Sequence, residues 1–288
     1  MCTVNFYLPD FYENFYLIIM LDDLIKQYPE LFYENIRIAA AYGCFPGSIW
    51  NGGRVILGSC TKQEITHVIT ELNHRDIAVR YTFTNPLLEK QHLFDTFCNL
   101  CLELGDNGQN EVLINSQLLE DFIRKMYPGY TILSSTTKCL NDKEAVKKEL
   151  EKDYALVVLD SAWNNTEELF TLSHKEKIEL IANHYCQDDC PRRKEHYTTV
   201  GKCQLEFSEI NFPACTNINR DFYQVMENRS FITTDDIFGK YKENGFIHFK
   251  LDGRGFHKYK VLESFVYYLV KPEYRDRVRL DILKSVYK

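Results

Sequence analysis

Eight short apolar runs rich in β-branched and aromatic residues recur along this chain, at residues 4–8, 36–41, 77–82, 111–115, 131–134, 155–159, 178–182 and 246–251. Longer segments with helical spacing separate or follow them, clearest at 12–27, 62–72, 90–104, 117–126, 142–152, 165–172, 258–270 and 273–287, and Gly, Pro, Asn or Asp marks the ends. Parallel strands can be joined only by long crossovers, which are right-handed. Eight such repeats therefore predict an α/β chain closed into a (β/α)8 TIM-barrel-like fold. The competing architecture, an open doubly wound sheet, lacks the Gly-rich phosphate loop that would follow an early strand.

The 288 residues suit one barrel spanning 1–288, for which about 250 residues is usual. A hydrophobic content of 45% and an aromatic content of 14% are enough to fill its core. The regular alternation is broken once, between the seventh and eighth runs, where an insertion at 184–244 carries four cysteines and a dense charge cluster. Excursions of that length inside a compact domain usually serve function or hold structure of their own.

The formal net charge of −7 opposes an extended nonspecific grip on nucleic acid, which needs Lys and Arg to displace counterions. One local basic patch remains, Arg192, Arg193, Lys194 and His196, inside the insertion. The first residues show no basic segment leading into an apolar run and a small-residue cleavage site. The apolar stretch at 15–21 is too short to span a bilayer and runs into Asp22 and Asp23. The expectation is a cytoplasmic protein with no membrane partner, whose ten cysteines are thiols or metal ligands rather than disulfides.

Barrel enzymes draw their reacting groups from the C-terminal ends of the strands. Here those ends are polar: Thr82, Thr84 and Asn85; Asn115 and Ser116; 134–138; Asp160, Asn164 and Asn165; Asn183; Lys250, Asp252 and Arg254. Of these, Lys250, Arg254, Asn115, Ser135 and Asp160 are the candidate substrate-binding residues, since Lys250 and Arg254 flank a turn where cations can fix a carboxylate or phosphate. The bland reading is that the small polar residues cap the following helices and that the cations form salt bridges with rim acids such as Asp160. No residue is singled out as catalytic.

The cysteines divide. Cys98 and Cys101 sit among Phe94, Phe97, Leu100 and Leu104 as small buried hydrophobes, and Cys2, Cys60 and Cys139 are isolated. Cys44 follows the second run without a ligand partner nearby in sequence. Cys186, Cys190, Cys203 and Cys215 lie in polar, charged sequence that core packing does not explain, and form the candidate metal set. Four thiolates on one segment can wrap a zinc ion or supply the corners of a [4Fe-4S] cluster; the alternative is free thiols in a hydrogen-bonded loop. Their spacing lacks the paired C-x2-C knuckles of a zinc ribbon.

Two segments then stand out, Lys177-Ile-Glu-Leu-Ile-Ala-Asn-His-Tyr-Cys-Gln-Asp-Asp-Cys190 and Gly245-Phe-Ile-His-Phe-Lys-Leu-Asp-Gly-Arg254. They resemble the peptidase U32 family, in which a strand leads into a cysteine-bearing loop and a later Lys-Ile-Glu-Gly-Arg motif closes the core. The segments at 110–116 and 132–136 look similar too, so the resemblance spans roughly residues 110–268. It implies a barrel and, for several relatives, a [4Fe-4S] cluster on four cysteines serving oxygen-independent hydroxylation; other relatives carry a peptidase label. By position Cys186 and Cys190 match the family's first cysteines, Cys203 and Cys215 follow by order, and Lys250, Gly253 and Arg254 match the closing motif. Asp252 stands where Glu is usual, and the first two cysteines are closer together than in most relatives.

Three functions follow as expectations: a U32-like iron–sulfur hydroxylating enzyme acting on a small or polymeric substrate, a U32-type peptidase or other hydrolase, and a noncatalytic partner subunit stiffened by metal, with zinc the alternative to iron. A hydrolase finds no His-Glu-x-x-His helix or Gly-x-Ser-x-Gly elbow in the chain, leaving Cys190 with His196 as its nucleophile–base pair. A protein partner or redox donor would accompany the first or third reading.

Overall fold

A computed structural model describes residues 2–213, 215 and 220–286; Tyr287, the predicted end of the last helix, lies outside them. Eight strands, β1 (Val4–Pro9), β2 (Ile36–Gly43), β3 (Ala78–Phe83), β4 (Glu111–Ile114), β5 (Thr131–Ser134), β6 (Val157–Val158), β7 (Ile178–Ile181) and β8 (His248–Lys250), pair in parallel in sequence order. The sheet closes where β1 pairs with β8, Tyr7 opposite Lys250. The (β/α)8 expectation is met strand for strand.

The connecting helices are α1 (Phe15–Gln27), α2 (Lys62–Asn73), α3 (Thr96–Gly105), α4 (Gln117–Met126), α5 (Lys143–Leu150), α6 (Glu167–Phe170), α7 (Arg193–Glu206), α8 (Phe222–Val225), α9 (Thr234–Asp236), α10 (Lys258–Leu269) and α11 (Arg275–Val286). Small polar residues at the strand ends do cap several of them: Ser116 accepts from Leu119 N at the start of α4, and Asp142 from Ala145 N at α5. The single helix expected at 90–104 is two, because Asp95 leaves helical geometry and accepts from Cys98 N as the N-cap of α3. The segment expected at 165–172 shortens to the one-turn α6.

Strand residues alternate between two cores. Phe6, Leu8, Val79, Tyr81, Val112, Ile132, Leu180 and Phe249 point outward into the layer beneath the helices. Tyr7, Ala40, Tyr42, Leu113, Leu133, Leu156, Val158 and Ile181 fill the barrel interior. The same inward register carries a charged layer. Fully buried Arg80 donates to Glu111 Oε2 at 2.6 Å and to Glu179 Oε2 at 2.5 Å, with its guanidinium 3.9 Å from the centre of the Tyr7 ring.

The 184–244 insertion is not an irregular loop. It contains the 14-residue α7, the two short helices α8 and α9, and a π-turn at Ile237–Tyr241. Among the described residues no helix is long and apolar enough to cross a membrane.

Candidate functional site

The last inward position of β8 is Lys250, followed beyond the strand by Asp252, and beyond β5 comes Ser135. They open into a cavity of about 70 Å3 at the C-terminal mouth of the barrel, completed by Tyr42, Gly53, Arg54, Thr82, Thr137, His184, Tyr197 and Arg254. Arg254 is buried and committed: its guanidinium donates to Asn51 Oδ1 at 2.7 Å, to Gly52 O at 2.5 Å and to Thr82 Oγ1. The loop after β2 approaches Thr84 and this arginine so closely that only glycine fits. A Cβ on Gly52 would lie 2.6 Å from the Thr84 backbone, and one on Gly53, at φ +77°, would lie 2.9 Å from Arg254 Nη2. Sequence reasoning missed this Asn51-Gly-Gly-Arg54 stretch, although consecutive glycines followed by an arginine after a strand were the signal.

Arg54 is the less engaged guanidinium of the cavity, donating to Gly53 O at 3.1 Å with Nη2 4.0 Å from Asp252 Oδ2. Lys250 is 7% exposed, and its Nζ lies 3.8 Å from the centre of the Tyr42 ring. Burial pushes its ammonium down to about 7, against the nearby charge of Glu179 and with the help of Arg80 and Arg254. Asn115 stands one step back, donating to Thr137 Oγ1 at 2.9 Å, while Ser135 Oγ accepts from Thr137 N at 3.2 Å and lines the cavity itself. Asp160 is elsewhere. It caps the turn at Ser161–Trp163 through Ala162 N and pairs with Arg193, facing a separate cavity of about 480 Å3.

His184, also missed from the sequence, is buried with Nδ1 3.4 Å from Asp252 Oδ2, a charge contact rather than a well-aligned hydrogen bond. Burial opposes its protonation, yet Asp252 and Cys186 beside it raise it to about 9. Asp252 is held well below the usual carboxylate range by His184 and Arg54 in spite of its burial. The Cys186 thiol, which burial alone would raise, is brought down to about 7 by His184 and Arg193. Asp252, His184 and Cys186 are thus electrostatically linked along the rim, the imidazole favoured in its protonated form and the thiol drawn down toward neutral pH.

A second cavity, of about 350 Å3, adjoins the first through their shared walls Arg54, His184, Tyr197 and Arg254. Cys186, Cys190 and Cys215 all line it, together with Arg193, His196 and Phe256. Cys203, expected to join them, lies buried on α7 and does not reach this wall. The basic patch is largely spent on internal pairs: Arg192 donates to both Glu195 oxygens at 2.9 Å and stacks on Phe212, and Arg193 holds Asp160. Elsewhere burial pushes the thiols of Cys44 and Cys60 up to about 12, as small core residues would show.

A single tetrahedral zinc draws its sulfurs to within about 4 Å of one another. Among the described residues no three of His, Cys, Asp and Glu converge that way. Of the four cysteines expected to act together, Cys186, Cys190 and Cys215 share the wall of the 350 Å3 cavity.

No family model matches the sequence, and no curated protein matches it. The solved structure of the U32 peptidase Mk0906 matches 87% of this chain and 93% of its own with a TM-score of 0.54 at 14% identity. The fold of this chain is therefore that of a U32 peptidase.

Proposed function

We propose that this chain is a U32-like iron–sulfur protein in which Cys186, Cys190 and Cys215 hold the centre and the adjoining polar cavity takes a small anionic group of the substrate. The observation that supports the reading is the placement of three cysteines, separated in sequence by up to 29 positions, on the walls of one cavity that shares four walls with the barrel mouth. When bound, such a centre supplies electron transfer or a Lewis-acidic iron. The chain's own residues have other tasks. His184 and Arg193 place positive charge beside the Cys186 thiolate, which offsets the negative charge of a thiolate-ligated centre. Arg54 presents donors to a substrate carboxylate or phosphate, and Arg254 holds the Asn51–Gly52 backbone that shapes the opening.

The reaction class that accompanies this reading is oxygen-independent hydroxylation. The mouth cavity admits a functional group of a few atoms, so a polymeric substrate would present one base or side chain to it. Zinc is the alternative occupant. Anaerobic purification followed by iron, acid-labile sulfide and zinc analysis is the direct test: a brown protein with about four irons per chain supports the cluster. A colourless product that stays free of iron after anaerobic reconstitution overturns it.

The position of His184 between Asp252 and Cys186 favours a second reading, a thiol hydrolase with Cys186 as nucleophile in place of the Cys190–His196 pair. It requires peptide or ester cleavage by metal-free protein that Cys186→Ser abolishes; absence of cleavage by the metal-free parent removes it.

A further inference from the structure

Lys250 is a cavity residue whose chemistry the preceding reading does not use. Its side chain leaves the inward face of β8 and ends over the Tyr42 ring, 3.8 Å from its centre, on the wall of the 70 Å3 mouth cavity. Neither a hydrogen bond nor a carboxylate within salt-bridge distance holds its Nζ among the described residues, whereas its neighbours Arg80 and Arg254 each donate to at least two oxygens. The cavity already has its positive charge, from Arg54 and Arg254. A third cation there would feel the charges of Arg80 and Arg254 and be stripped of water.

We propose that Lys250 is a nucleophilic amine that forms an imine with the carbonyl of a small oxo acid, whose carboxylate is held by Arg54. The inference goes beyond the iron–sulfur reading and uses none of its cysteines. In the step, the Nζ lone pair attacks the carbonyl carbon and the C=O π bond opens to a carbinolamine. Both Nζ protons then leave on the former carbonyl oxygen as water, and a C=N bond remains. No electrons are gained or lost, and no co-reactant is needed.

The surroundings suit that chemistry on every side. From β7, Glu179 faces the amine from the barrel interior; from β3 comes Arg80, from β1 and β2 the rings of Tyr7 and Tyr42, and from beyond β8 Asp252 and Arg254. Burial and the two arginines outweigh the two carboxylates and leave the amine neutral in part near pH 7. The hydroxyls of Thr82, Ser135 and Thr137 line the cavity within which the carbinolamine would form and lose water.

The test is reductive trapping with glyoxylate and cyanoborohydride at pH 7, followed by peptide mapping. Hydride from the reagent and a proton from water convert the imine to a secondary amine, adding a carboxymethyl group to the lysine. At this pH Lys250 has a neutral-amine fraction on the order of a thousandfold above that of an ordinary lysine. The expected result is rapid modification of the Lys250 peptide ahead of the surface lysines, lost in K250M and in K250R, and slowed in R54Q. Modification of surface lysines with Lys250 untouched in folded wild-type protein overturns the proposal, and this map decides even where K250M does not fold. Iron is measured on the same sample. A labelled, iron-free protein thus counts only against the cluster, and an unlabelled, iron-loaded one only against the amine.

Discussion

Arg80 on β3 and Glu179 on β7 meet across the barrel interior, Nη1 2.5 Å from Oε2, with both side chains fully buried. The barrel holds a salt bridge where many hold only branched aliphatics, and the arginine also serves Glu111. Burial works against the Arg80 charge, and the carboxylates of Glu111 and Glu179 more than offset it. Removing Glu179 leaves the buried Arg80 with Glu111 alone: E179L should cost about 3–5 kcal/mol in chemical denaturation, while R80M/E179L should recover part of that loss. An E179L variant as stable as the parent would contradict a paired interior.

The insertion helix α7 is seated by close approach rather than by an apolar stripe. Gly201 carries the contact: a Cβ there would lie 2.5 Å from Asn85 Oδ1 and 3.0 Å from Pro86 Cδ, and Asn85 Nδ2 donates to Gly201 O at 3.0 Å. Gln204 adds a buried amide that donates to Ser48 O and Ile56 O and accepts from Ile56 N. G201A should destabilise by about 1–3 kcal/mol through overpacking, and lower Tm by several degrees in a scan. Hydrogen exchange at Ile56 should rise with it, since displacing α7 frees that amide.

This seating explains what the sequence hides. All eight strands were legible because each is an apolar run of strand length bounded by turn residues, and Lys250 and Arg254 because they stand at a strand end. In α7 the buried positions are Val200, Gly201, Cys203 and Gln204, a face with one large apolar side chain, so no helical periodicity of hydrophobicity marks it. Arg80 and Glu179 sat inside runs read as apolar, although their inward parity could have been counted. His184 and Asp252, 68 positions apart, become neighbours only through the pairing of β7 with β8.

The cysteines separate by which wall they face. In anaerobically prepared protein, C186A, C190A and C215A should each lose most of the iron and the visible absorbance, while C203A should keep both, because Cys203 is buried on α7 away from the cavity. Equal loss in C203A, with the fold intact by circular dichroism, would restore the four-cysteine set.

Lys250 makes stability depend on pH in a direction opposite to that of a paired lysine. Folding lowers its ammonium from the ordinary 10.5 to about 7, chiefly by burial. Between those values the unfolded chain binds a proton that the folded chain has released, so stability contributed by this site rises with pH across the window and is flat below and above it. The slope from one such group is at most about 1.4 kcal/mol per pH unit. Other groups titrate in the same range, so the quantity to measure is the difference between wild type and K250M, with unfolding free energies taken from pH 6 to pH 10. Methionine keeps most of the side chain's apolar length while removing the titrating amine. The advantage of K250M over wild type should be greatest at the acid end, where the wild type buries a charged ammonium, and should shrink as the amine of the folded protein loses its proton. A difference that stays constant over the whole range would mean that Lys250 titrates as a solvated lysine does, with its ammonium compensated in the barrel.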